Sequence, residues 1–388
     1  MLITFALTAH AASPVEVTPE AQVRPRFEAD TGRDGVDGAG TVGYVTMRSR
    51  LGATISRDDV AVRVVFQDVR FFGEELHPRR DFTAGGIDLR IGTLTWSPGD
   101  WEFEIGRMER GLYNERLLAI ANWRQPGRSN DGARIAFARD GWSAEARGLL
   151  LREGDSTDLS TTDQVVPIAN DAGLALFTFG YADDTRSIHP LVFVDINTDL
   201  TQRTQRATPG VYATLTRGPI HLEAEAYAQL GLVADVATTA GMLGLRGTWA
   251  ATDRANLGLG YDLLSGDGDP LDDVNNSFSP LQGANHRYYG HVDMAVFRVG
   301  GPGDGQGLQD VIVQGAWAAT DRLQLRTDLH AFFFAAPDDA AFLAVEPDIE
   351  VRATLADGLT WSNGANLWFP GGDAATEWMF FSMFDARL

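Results

Sequence analysis

The sequence contains no cysteine and no lysine. Without cysteine there is no disulfide, no thiolate metal site and no thiol nucleophile. Without lysine, all 32 basic residues are arginine. Arginine suits planar, bidentate recognition of carboxylates, although a G+C-rich genome gives the same bias. Also missing is any uncharged apolar run long enough for a membrane-spanning helix. A net charge of -21 over 388 residues argues against a nucleic-acid binder. With 44% hydrophobic residues, 9 Trp and 21 Phe, the chain is too apolar to stay disordered.

Residues 1–11 read as a signal peptide whose charged leader lies upstream of Met1. Leu2-Ile3-Thr4-Phe5-Ala6-Leu7 is a short apolar core, and Ala9-His10-Ala11 is a small-x-small cleavage site. Cleavage there would deliver residues 12–388 out of the cytoplasm.

From Ala21 onward the dominant period is two, that of a strand. Trp101-Glu102-Phe103-Glu104-Ile105 and Ile220-His221-Leu222-Glu223-Ala224-Glu225 alternate apolar with charged residues. Helical periodicity is hard to find, so the chain reads as all-β. Its connections alternate between tight and long. Tight turns fall at Ser56-Arg57-Asp58-Asp59, Ser97-Pro98-Gly99-Asp100, Ala138-Arg139-Asp140-Gly141, Thr216-Arg217-Gly218-Pro219 and Ala356-Asp357-Gly358. Long polar stretches run from Gly111 to Asp131, Arg152 to Asp171 and Gly266 to Gly307. Short turns on one rim and long loops on the other are the layout of a single antiparallel transmembrane β-barrel, with short periplasmic turns and long extracellular loops. Trp249-Ala250-Ala251-Thr252-Asp253-Arg254 recurs as Trp317-Ala318-Ala319-Thr320-Asp321-Arg322, which marks two equivalent hairpins with Trp at the membrane interface. Even parity, with His286 to His291 assigned to one long outer loop, gives about eighteen strands, with sixteen as the alternative. The last strand carries a lipid-facing stripe of Trp378, Phe380, Phe384 and Leu388. It looks like the signal read by the barrel assembly machinery.

Period-two phasing points Arg24, Arg26, Arg48, Arg50, Arg63, Arg90, Arg134, Arg147, Arg246, Arg326 and Arg352 into the lumen. Glu28, Asp88, Glu102, Glu104, Glu145, Glu223, Glu225, Asp262, Asp328 and Glu350 join them. Most of these would form cross-strand ion pairs that stiffen the wall. An Arg-rich subset would line a track for an anionic solute, as rings of arginine do at anion-selective constrictions. In the loops, Asp155, Asp158, Asp163, Asp267, Asp269, Asp272 and Asp273 keep the rim soluble and bridge cations on the lipopolysaccharide leaflet. A calcium site at Asp267-Gly268-Asp269 with Asp272 lacks the full loop pattern. His286, His291 and Asp293 are metal ligands on paper only. No metal or cofactor is expected. No nucleophile elbow, zinc-protease helix or phosphate loop occurs, so the chain does not read as an enzyme.

Several segments resemble the alginate export porins of Gram-negative outer membranes. They are Ile105-Gly106-Arg107-Met108, Tyr113-Asn114-Glu115-Arg116-Leu117, Asn122-Trp123-Arg124-Gln125 and Gly127-Arg128-Ser129-Asn130-Asp131-Gly132-Ala133-Arg134. Ser265-Gly266-Asp267, Phe278-Ser279-Pro280-Leu281 and Asn285 to Asp293 add to the likeness, as do Gly307-Leu308-Gln309-Asp310 and Asp328 to Phe332. Met108 and Asn130 depart from the family pattern, which has Gln and Phe there. The resemblance implies an eighteen-stranded barrel with an Arg-rich constriction that passes an acidic uronate polymer. It adds Arg107, Arg116, Arg124, Arg128 and Arg134 as pore-lining residues, oriented by Asp131. The expectation is a channel for anionic carbohydrates with no covalent step. A general diffusion porin is one alternative, and a structural or adhesion barrel with cation-binding acidic loops is the other.

Overall fold

The computed structural model describes residues 13–31, 40–72, 86–152, 172–197, 203–269, 271–297, 305–337 and 341–388. The signal segment, Asp155, Asp158 and Asp163 lie outside them. The strands are β1 (Glu16–Asp30), β2 (Val42–Arg57), β3 (Val60–Phe71), β4 (Asp88–Trp96), β5 (Trp101–Met108), β6 (Asn130–Arg139), β7 (Trp142–Arg152), β8 (Ala172–Ala182) and β9 (Arg186–Asn197). They continue with β10 (Thr204–Arg217), β11 (Ile220–Val233), β12 (Val236–Thr252), β13 (Ala255–Leu264), a two-residue β14 (Val274–Asn275), β15 (Leu308–Thr320), β16 (Leu323–Phe333), β17 (Phe342–Ala356), β18 (Leu359–Pro370) and β19 (Glu377–Arg387).

Each long strand pairs antiparallel with its sequence neighbour, and β13 pairs with β15 across the long loop that contains β14. β1 pairs with both β2 and β19, so the sheet closes on itself. Leaving out β14, which adds only a short parallel pairing to β12, the barrel has eighteen strands. A barrel of that size leaves an aqueous lumen unless loops enter it.

The alternation expected from the sequence is present. Eight connections on one rim span two to four residues. Trp96, Trp101, Trp142, Trp249 and Trp317 flank those turns and point outward, each roughly half exposed, in the position of an interfacial aromatic girdle. Leu94, Ile105, Leu222, Leu259 and Phe384 continue the exposed apolar surface. The long-loop rim has one exception. β11 and β12 are joined there by Ala234 and Asp235 alone, with φ of 51° and 65°, a tight hairpin of the kind that needs left-handed residues.

The interior is not uniformly polar. A buried apolar cluster that includes Met108, Leu117, Leu118, Leu176, Phe193, Phe278, Tyr289, Phe332 and Trp368 combines inward-facing strand residues with residues of the loops after β5 and β13. Two long connections therefore fold into the barrel.

Candidate functional site

The loop between β5 and β6, residues 109–129, is anchored by arginines along its whole length. At its start, Glu109 accepts from Arg50 Nη1 at 3.3 Å and Arg90 Nη2 at 2.6 Å. Arg90 reaches the lumen through a β-bulge, since Val65 pairs with Ile91 and Phe66 with Leu89. A bulge re-aims the extra side chain. Arg147 then donates to the carbonyls of Arg110 and Gly111 at 3.1 and 3.2 Å. On the return limb, Arg24 donates to Gln125 Oε1 at 3.0 Å and to the carbonyls of Asn122, Trp123 and Arg124 at 2.8, 3.3 and 3.2 Å. Arg26 takes the Trp123 carbonyl at 2.6 Å, and Arg48 takes Asn122 Oδ1 at 3.0 Å. Gly127 lies against Arg90 with φ of 64°, and a Cβ there would sit 2.7 Å from Nη2, so the close approach requires glycine.

The tip of this loop crosses the lumen. Arg116, 1% exposed, donates to Glu225 Oε1 at 2.7 Å and to both oxygens of Asp262 at 3.0 and 2.9 Å. Burial opposes its charge, but Asp262 holds its pKa well above the ordinary arginine value. The loop after β13 covers it from the other side. The Arg116 guanidinium lies 3.5 Å from the centroid of the Tyr288 ring and 5.4 Å from that of Tyr289. The two loops bond backbone to backbone, with Ala119 N–H donating to Gln282 O, Gln282 N–H to Leu117 O and Ala284 N–H to Glu115 O at 2.9, 3.0 and 2.9 Å. Trp123 stacks on His286 at 4.2 Å, and His286 on His291 at 4.6 Å. The second loop is fixed to β17 where His291 N–H donates to Asp348 at 3.2 Å and Val292 N–H to Glu346 at 2.7 Å.

The lumen is therefore electrostatically polarised. β1, β2, β4 and the first loop supply Arg24, Arg26, Arg48, Arg50, Arg90, Arg124 and Arg128. Arg24 and Arg48 face each other in register, both buried, and donate to amide and carbonyl oxygens rather than to carboxylates. Arg128 donates to the carbonyls of Ala119 and Gln282. Burial and the adjacent charge of Arg124 lower its pKa. The exposed Arg124 guanidinium has no partner among the described residues. Burial pushes the Glu109 carboxyl up, but Arg50 and Arg90 hold it below the usual range. The strands from β11 to β17 bury Glu225, Asp262, Asp310, Asp328, Glu346 and Asp348, while β1 and β19 bury Glu28, Asp30 and Asp385.

A family model described as "Alginate export" matches residues 16–366. The chain belongs to the alginate export family. Its barrel also resembles solved outer-membrane porins. Against OpdO of Pseudomonas aeruginosa the TM-score is 0.68 at 12% identity, covering 96% of this chain and 97% of the other. Against OpdK of the same species with vanillate it is 0.65 at 12% identity, covering 96% and 98%. A BenF-like porin from Pseudomonas fluorescens Pf-5 gives 0.63 at 11% identity, again covering 96% and 98%. At these identities the likeness is one of fold. No curated protein sequence matches. Family and closed barrel together make this an outer-membrane channel.

Within this alginate export porin, the arginines predicted from strand phasing divide into three sets. Arg24, Arg26, Arg48, Arg50 and Arg90 join the first loop as described. Arg134 and Arg147 share Glu145, and Arg134 also meets Glu102. Arg63 pairs with Glu20, Arg246 with Asp262 and Arg326 with Asp328. These last five are the wall-stiffening ion pairs. Arg352 is exposed in β17. Of the residues added by resemblance, Arg124 and Arg128 stand on the basic side.

Two expectations are corrected. Arg107 and Asp131 pair with each other at 2.7 Å, but they share the parity of Ile105 and Ala133 on adjacent strands and so lie on the outer face. Arg116 is inside, but it is fully enclosed by carboxylates and tyrosines rather than lining an open passage. Sequence reasoning missed Glu109, Asn122 and Gln125, which receive the arginine hydrogen bonds. The signal available was Leu117-Leu118-Ala119-Ile120, an apolar run in a loop otherwise read as polar and external. Asp267, Asp269 and Asp272 accept backbone N–H groups within their own turns.

Proposed function

We propose that this porin conducts anionic, carbohydrate-like carboxylates passively along the basic side of its lumen, with uronates as the reference chemistry and no covalent step. The observation that carries this reading is the excess of guanidinium over carboxylate there. Arg24, Arg48, Arg124 and Arg128 bring four positive charges that no carboxylate contact neutralises. A carboxylate entering this region is attracted by the charge of the buried Arg24 and Arg48 and gains exchangeable charge-assisted hydrogen bonds from the exposed Arg124, weak enough for conduction. The family description is consistent with an acidic polymer. The vanillate in the OpdK structure is a small carboxylate, in keeping with the charge but not with a polymer. The two loops that meet across the lumen favour small or oligomeric solutes over a wide polymer path.

The test is the reversal potential of single channels in a planar bilayer under a KCl gradient, repeated with galacturonate oligomers. Anion selectivity, with current block by the oligomers, is expected. Arg24→Gln with Arg48→Gln should reduce both. A conducting pore without anion selectivity would leave a general diffusion porin instead. No conductance would favour a structural barrel.

A further inference from the structure

Tyr113 stands at the tip of the first inward loop with a φ of 46°, a left-handed conformation that a bulky aromatic residue adopts only when its surroundings enforce it. Its neighbours Leu112 and Asn114 are buried, while Tyr113 itself is 36% exposed. Its ring centroid lies 4.6 Å from that of His189 and 5.1 Å from that of Tyr212, with interplanar angles of 31° and 11°. His189 and Tyr212 are themselves only 6.5 Å apart. Were Tyr113 sandwiched between them, that separation would approach the sum of the other two distances. It is far shorter, so the two rings do not clamp Tyr113 centre over centre, and the 36% exposure of the residue leaves part of its ring surface uncovered.

The platform is held rigidly. The Tyr113 hydroxyl bonds Thr178 Oγ1. Thr178 spends its own proton on the Pro190 carbonyl at 3.0 Å, so the phenol is the donor. Tyr212 donates to Glu223 at 2.9 Å, and Asn114 Nδ2 reaches the same carboxylate at 3.0 Å. Arg147 fixes the backbone just before Tyr113. Three residues away the Arg110 guanidinium, whose side chain is 41% exposed, pairs with Glu104 at 2.9 Å. It also meets Glu102 at 3.5 Å, so a partly exposed ring and a partly exposed ion pair stand close together in the chain.

We propose that Tyr113, laid over His189 and Tyr212, is a stacking platform that selects ring-bearing carboxylic acids, pyranose or aromatic, over open-chain ones. This deepens the reading of the lumen as a path for carboxylates and rests on it. Arginines supply the attraction for the charge, and the platform supplies preference for the ring.

The test uses the full chain in a planar bilayer, with acetate, benzoate and galacturonate as probes and the residence time of current block as the readout. For the wild type, benzoate and galacturonate should reside roughly three- to tenfold longer than acetate, the scale of one aromatic contact. Tyr113→Phe should keep that ratio. Tyr113→Ala should bring it to about one, and so should Tyr113→Asn, which suits a positive φ but carries no ring. Retained KCl conductance and anion selectivity show that both variants are folded. A wild-type ratio of one, or ratios unchanged in both ringless variants, would overturn the platform while leaving the arginine reading intact. Loss of anion selectivity in the wild type would instead remove that reading and the platform with it.

Discussion

Replacing Arg116 by methionine removes a guanidinium that joins both inward loops to the barrel wall. Methionine has similar length and keeps an apolar stem against Tyr288, so the change is chiefly one of charge and hydrogen bonding. Three short hydrogen bonds to Glu225 and Asp262 are lost. Removing one partner of a buried pair costs about 3–5 kcal/mol. Loss of the cation over the Tyr288 ring adds up to about 2 kcal/mol. The remaining carboxylates are partly supported, because Asp262 still meets Arg246 at 2.9 and 2.6 Å and Glu225 still accepts from Tyr227 at 3.0 Å. The lower end, about 3 kcal/mol, is therefore expected, which shifts the equilibrium between docked and released loop tips by roughly a hundredfold. The strand ladder is untouched, and Arg24, Arg26 and Arg48 still hold the return limb. Single-channel recording should then show a larger and noisier open current, with barrel melting by circular dichroism unchanged. A current with wild-type amplitude and noise would refute the assignment of Arg116 as the tie.

Three further outcomes follow from the geometry. Arg107→Ala should leave anion selectivity unchanged, because Arg107 faces outward; a loss comparable to that of Arg48→Gln would contradict that placement. Burial, followed by the proximity of His286, keeps the His291 pKa well below the ordinary imidazole value. A released loop gains a proton below about pH 6.5 that the docked loop resists, so docking is full above that pH and weakens as pH falls below it. Gating noise should therefore be greater near pH 5 than near pH 7.5. His286, Arg326, His330 and Asn366 face this ring, so His291→Asn, which keeps the backbone bond to Asp348, must flatten the difference for the assignment to stand. Gly106 has a φ of 126°, and a Cβ there would sit 2.1 Å from the Gly92 carbonyl. Gly106→Ala should cost at least about 1 kcal/mol, and equal urea resistance of wild type and variant would count against it.

The barrel was legible because alternation survives in strands such as Trp101 to Ile105, where lipid and water face opposite sides of one sheet. The same alternation correctly sent Arg24 and Arg48 inward. It also contained the answer for Arg107. Counting from Glu102 and Glu104 places Arg107 outside, and only the family resemblance moved it into the pore. The alternation sent Arg90 inward as well, but did not foresee the bulge at Val65 and Phe66, which buries Ile91 beside it. The inward course of the first loop depends on contacts between residues about a hundred positions apart, such as Arg24 with Gln125. Such contacts leave no local trace beyond the misplaced Leu117 to Ile120 run.

The facing pair Arg24 and Arg48 has a consequence for reshaping the pore. Their hydrogen-bond acceptors are the carbonyl and amide oxygens of the first loop. Trimming that loop to widen the channel would strand two buried guanidinium groups in the wall. The loop and the first two strands therefore form a single unit of alteration. Widening the bore by loop deletion calls for both arginines to be rewritten at the same time, for example as a glutamine and threonine lining able to bond to water.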